Sequence, residues 1–195
     1  MIFAQDVKKL REKTGAAMMD AKKALETAGG DMDKAVAELR KRGQKMAAKR
    51  ADRETKEGRV AAYIHANGQV GAMIELVAET DFVARNEQFG VLAYDIAMHV
   101  AATDPQYLSA DEIPADVLEK EKEIYREQLA KEGKPEAMRE NIMSGKLKKF
   151  YAEVCLLDQP FIKDEDKTVA EIITEAIGRI GEKIEVRRFA RFALK

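Results

Sequence analysis

Gly58-Arg59-Val60-Ala61-Ala62-Tyr63-Ile64-His65-Ala66-Asn67-Gly68-Gln69-Val70-Gly71-Ala72-Met73-Ile74-Glu75-Leu76 is the stretch on which the fold turns. Before it, apolar residues recur at helical spacing; within it they recur at every second position. Val60, Ala62 and Ile64 alternate, Asn67-Gly68 interrupts, and Val70, Ala72, Ile74 and Leu76 alternate again. Two such runs joined by Asn-Gly predict a β-hairpin with a type I′ turn, because Asn and Gly tolerate the positive φ angles that turn demands. A helix should follow, with Phe89, Leu92, Ala93, Ile96, Ala97 and Val100 on one face. The end of the chain, Ile184 to Phe192, is β-rich and partly alternating and would add a third strand. These elements predict an α+β core with an antiparallel sheet over residues 58–195.

Working outward, residues 1–43 read as a three-helix module. Val7 and Leu10 mark the first helix, Met18, Ala21 and Leu25 one face of the second, and Ala35, Val36 and Leu39 the third. Gly29-Gly30 stops the second helix, Asp31 caps the third and Gly43 is expected to end it. A unit of this size buries only a small core. Residues 44–57 are basic and poor in apolar residues apart from Met46. They read as a mobile helical linker, solvated or touching an acidic surface. Beyond Asp104-Pro105, a possible capping box at Ser109/Glu112 and Pro114 open a charged helix; Gly133 ends it and Pro135 starts another. Their narrow apolar seams predict a protruding helical hairpin at about 111–148. Phe150 to Leu157 fits either strand or helix end. Thr168 and Glu171 form a second capping box before the stripe Val169, Ile172, Ile173, Ala176, Ile177 and Ile180, which Gly181 stops.

Charged residues make up 35% of the 195-residue chain, yet the formal net charge is -1. Interspersed charge argues against a nucleic-acid binder driven by phosphate neutralisation. No apolar run is long enough to span a bilayer, and the start lacks the pattern of a secretory signal, so no membrane partner is expected. The single cysteine, Cys155, excludes an internal disulfide and fits a reducing cytoplasm. Two histidines, His65 and His99, are too few and too isolated for a histidine metal site. There is no phosphate-cradling glycine loop, nucleophile elbow or zinc spacing, so no catalytic residue, metal ligand or cofactor is selected.

Four features carry the remaining choice. Phe82, in Thr80-Asp81-Phe82-Val83-Ala84-Arg85-Asn86, sits where a strand gives way to a helix, flanked by the N-cap candidates Asp81 and Asn86. Its ring either closes a core or is presented to a partner. Met18-Met19 follow a loop and are either core or an adaptable apolar contact. His99 lies beside the face of Ile96 and Val100, where a lone histidine is usually a satisfied boundary residue. Cys155, between Val154 and Leu156, reads as a buried structural thiol.

Four ordered stretches resemble bacterial translation elongation factor Ts: Leu10-Arg11-Glu12-Lys13-Thr14-Gly15-Ala16-Ala17-Met18-Met19-Asp20-Ala21-Lys22-Lys23-Ala24-Leu25, Thr80 to Asn86, Ile96 to Ala102, and Gln159-Pro160-Phe161-Ile162-Lys163-Asp164. The resemblance spans essentially the whole chain. It implies an N-terminal module similar to the ubiquitin-associated (UBA-like) fold and a guanine-nucleotide exchange factor without covalent chemistry. The partner it implies is elongation factor Tu, GDP-bound or nucleotide-free. By the same resemblance Asp81 and Phe82, with Thr80 and Val83, would enter the partner's nucleotide domain near its Mg²⁺ site. Met18 and Met19, with Arg11, Lys22 and Lys23, would dock the N-terminal module, and His99 matches a contact position. One hairpin-plus-helix unit stands where longer members carry two subdomains, and no further helical module follows Lys195. That is similar to the short form, expected to homodimerise and give a 2:2 complex. Where some short members carry a linking cysteine in the last strand, this chain has Ala190. The rivals are a binding module for a ubiquitin-like or nascent-chain partner, which would keep Phe82 in the core, and an enzyme using dispersed carboxylates. Neither explains four ordered matches.

Overall fold

A computed structural model describes residues 2–132 and 135–194. The predicted helix stop at Gly133 lies outside the described residues. Helices α1 (Ala4–Thr14), α2 (Met18–Thr27) and α3 (Met32–Arg50) come first. Strands β1 (Glu57–Ile64) and β2 (Val70–Ala78) follow, then a single turn α4 (Asp81–Ala84) and the long α5 (Glu87–Thr103). The hairpin is α6 (Ala115–Lys131) and α7 (Glu136–Val154), the latter running beyond the expected end at 148. The short strands β3 (Pro160–Phe161) and β4 (Asp164–Thr168), helix α8 (Val169–Ile180) and strand β5 (Ile184–Ala193) complete an α+β chain. The ambiguous stretch at Phe150 is therefore helix up to Val154.

The main sheet is antiparallel with order β1-β2-β5, so the C-terminal strand does join the hairpin. The turn differs from the predicted type I′. Only Gly68 has positive φ (68°); Asn67 does not, and the Gly68 N–H donates to the His65 carbonyl at 2.7 Å. Asn67 instead accepts the Gln69 N–H with its side chain, which holds it in the right-handed half of the map. On β2, Val70, Ala72, Ile74 and Leu76 face inward as their period suggests. On β1 the apolar set faces out: Val60 and Ile64 are exposed while Ala61 and Tyr63 meet the core.

Helix α5 covers the inner face, packing Phe89, Ile96 and Val100 near Ile74, Leu76 and Val186, with Val169, Ile173 and Ile177 of α8 beside them. The N-terminal helices enclose a second cluster in which Val7, Leu10 and Leu25 are the buried branched aliphatics. Helix α3 joins this cluster to the main core. The expected helix end at Gly43 is corrected: α3 continues through a buried Gly43 to Arg50. A methyl at Gly43 would lie 3.2 Å from the Thr174 carbonyl oxygen of α8, so the bare backbone allows a close helix crossing. That packing offsets the ~1 kcal/mol glycine costs inside a helix. Met46 and Ala47 then rest on the main core, so residues 44–50 of the expected helical linker are the last turns of α3. The Thr168/Glu171 capping box is present, whereas Ser109 makes no side-chain cap and precedes a 3₁₀ turn.

Candidate functional site

The corner after β2 is fixed from behind. Thr80, not Asp81, is the N-cap residue of α4, and its hydroxyl is already committed. Its N–H and its Oγ1 donate to the two carboxylate oxygens of Glu182 at 3.0 and 2.7 Å. Asp81 falls in the first helical turn, where the helix dipole favours an anion, and pairs with Arg85 at 3.0 Å. Asn86 caps α5 as expected, accepting the Gln88 N–H at 2.8 Å. With both ends of α4 held, adjacent side chains point opposite ways. Val83 is buried, and Phe82 is 83% exposed. The core alternative for this ring is thereby excluded in the free chain. Leaving it in water forgoes about 2 kcal/mol of burial.

Before Thr80, Glu79 accepts two hydrogen bonds from Arg50 Nη1, at 2.7 and 2.9 Å, and one from the Lys183 N–H at 2.6 Å. Burial pushes the Glu79 carboxyl up, but the Lys183 N–H and the Arg50 guanidinium outweigh it and hold the group below its ordinary 4.5. Sequence reading missed Arg50, Glu79 and Glu182. Each is one charge among many, and their partners lie far along the chain.

Met18 and Met19 open α2 and are 53% and 69% exposed. The inward assignment of Met18 is corrected: the buried stripe of α2 is Ala21, Ala24 and Leu25, and Met18 precedes it on the first turn. Arg11, Lys22 and Lys23 are exposed as well, with Lys22 3.9 Å from Glu26. A cleft of about 400 Å³ has Gly15 and Arg179 on its lining together with Glu87, Gln88 and Val91 of α5. The cleft thus brings the loop before Met18 against the first turns of α5, the helix that follows the Phe82 corner.

His99 does not stand with them. It is 0% exposed, which corrects the boundary reading and leaves no surface for a direct contact in this state. Its Nδ1 accepts the Ile162 N–H at 3.3 Å, so Nε2 carries the proton and faces Gln159 Oε1 at 3.0 Å. Thr103 Oγ1 donates to the same oxygen at 2.8 Å, and the His99 and Phe161 rings lie 5.7 Å apart. The ring ties α5 to the β3–β4 turn. Burial lowers its pKa from 6.5, partly opposed by Gln159. The folded state therefore resists a proton that the unfolded chain accepts. Stability should fall as pH drops below about 6.5 and level off below the lower folded value. Urea midpoints at pH 7 and 5.5 should differ less in His99→Gln than in the parent, and an equal drop in both would reject this origin.

Burial also pushes the Cys155 thiol up to about 11, so it is a poor nucleophile, as its apolar neighbours suggest. Among the described residues no group of three or more His, Cys, Asp or Glu is placed to hold a metal ion. Among them, no helix is long and apolar enough to cross a membrane.

A family model described as Elongation factor TS matches residues 1–177. Elongation factor Ts of Acetivibrio thermocellus is 56% identical over 192 residues, covering 98% of this chain and 89% of the relative. Elongation factor Ts of Moorella thermoacetica is 56% identical over 192 residues, covering 98% and 95%. That of Thermodesulfovibrio yellowstonii is 56% identical over 191 residues, with 98% and 95% covered.

Proposed function

Because the chain belongs to the elongation factor Ts family, we propose that it is a guanine-nucleotide exchange factor for elongation factor Tu in translation elongation. The observation that carries this reading is the 83% exposed Phe82 on a corner braced from behind. An apolar ring held in water on a rigid turn suits insertion into another protein. Phe82, with Asp81, wedges among side chains beside the partner's Mg²⁺ site and weakens GDP. By linkage GDP weakens the wedge equally, so the complex is transient and an excess of GTP gives it direction. The chain itself does no covalent chemistry.

Met18 and Met19, with Arg11, Lys22 and Lys23, dock the N-terminal module on the same partner. Anchoring at one point supplies binding energy that offsets distortion at another. His99 supports this indirectly, by holding α5 and the β3–β4 turn.

The apolar outer face of the sheet supports a homodimer, and hence a 2:2 complex. Ala62 and Ile64 of β1, Met73 of β2 and Ala190 and Phe192 of β5 lie side by side there, with Met73 paired to Ala62 and Ala190, while Val60 stands beside the Glu75–Arg188 ion pair. Exposed contiguous apolar patches of this kind mark association surfaces.

Stopped-flow release of a fluorescent GDP from elongation factor Tu tests the reading. Addition of this chain should accelerate release, and an unchanged rate sinks it. Met18→Ala with Met19→Ala should raise the half-saturating concentration roughly tenfold, since two exposed thioether anchors carry on the order of 1.4 kcal/mol. Unaltered affinity by calorimetry would remove the pair from the interface.

A further inference from the structure

The two candidate contact points are joined by a single structural device. Helix α3 belongs to the N-terminal cluster at one end, through Ala35 and Leu39. At the other end its Arg50 grips Glu79, three residues before Phe82. Nineteen residues of α-helix between these ends span about 28 Å. Midway, α3 crosses α8 at glycines on both sides: a methyl at Gly178 would lie 3.0 Å from the Gly43 Cα. Backbones this close leave no side chain to slip or re-pack. Helix α8 continues to the same corner, since Glu182 holds Thr80 just past its end. Two helices locked at their crossing thus both end on the residues that carry Phe82.

We infer that the α3–α8 pair is a strut that sets the position of Phe82 relative to the Met18–Met19 anchor. Arg50, Glu79, Gly43, Gly178 and Glu182 are its positioning residues. This rests on the exchange reading and adds to it the means by which docking is converted into displacement. An anchor on a loose tether would supply affinity but not direct the ring. A wedge acts through geometry, and misplacement by about 1 Å can cost up to 10²-fold in rate.

The test separates affinity from maximal rate. GDP release from elongation factor Tu is followed at increasing concentrations of the parent, Arg50→Ala, Arg50→Lys and Gly178→Ala. The expected result is a half-saturating concentration within about twofold of the parent and a maximal rate lower by about tenfold or more. Arg50→Lys, which keeps one charged contact, should fall between parent and Arg50→Ala. A parent-like maximal rate in Arg50→Ala overturns the strut, as does a loss of affinity with the maximal rate preserved. Arg50→Ala removes a partly exposed ion pair and keeps the test decisive even where Gly178→Ala disturbs packing. A parent chain that fails to accelerate release at any concentration gives a different pattern and defeats the exchange reading, and the strut with it.

Discussion

Phe82→Ala should abolish most of the acceleration of GDP release while leaving the melting temperature where it was. The ring is 83% exposed and meets no core, so its loss creates no cavity. Exposed substitutions away from caps and buried networks shift stability by about 0.5 kcal/mol or less. The local supports are also untouched: Thr80 still bonds Glu182, Asp81 still pairs with Arg85, and Val83 still fills the space beneath. In a complex the same ring would be desolvated at the centre of the contact. Aromatic hot spots there are worth about 2 kcal/mol or more, close to 30-fold. Stopped-flow release beside a thermal melt reads both quantities. If rate and melting fall together, the ring has a structural role; if neither moves, the wedge is wrong.

What the sequence made legible was local. The β2 alternation, the stripes of α5 and α8 and the Thr168/Glu171 box each depend on neighbours within a few residues, and each is found in place. What it hid was non-local. Gly43 looks like a helix stop until Thr174 and Gly178 are brought against it, after which only glycine allows the crossing. His99 looks like a boundary residue until Gln159, Thr103 and Ile162 enclose it. The corner's presentation of Phe82 was one of two open alternatives, because a strand-to-helix transition fixes where the chain turns but not which side of the turn is covered. Glu182 and Arg50 decide that, and nothing near Phe82 announces either of them.

Alternation has the same blind spot on β1, and this leads to the other large expected effect. Period two places Val60, Ala62 and Ile64 on one face without saying which. The structure turns them outward, with Ile64 71% and Phe192 74% exposed across Gly71. If this face pairs with a second copy, Met73→Glu should convert a dimer into a monomer. In a two-fold interface every substitution enters twice. Each uncompensated charge buried there costs about 3 kcal/mol, so the pair weakens association by about 6 kcal/mol, or roughly four orders of magnitude. The monomer fold should survive, because Met73 already faces solvent beside Ala62 and Ala190 and packs under neither helix layer. Light scattering across a concentration series reads the mass, and circular dichroism reads the fold. A Met73→Glu chain that stays dimeric places the interface elsewhere, and a parent chain that is monomeric at concentrations on the order of 10 μM removes the dimer altogether. Ala190 makes the outcome clean, for no thiol on that strand can hold the copies together once the apolar contact is lost.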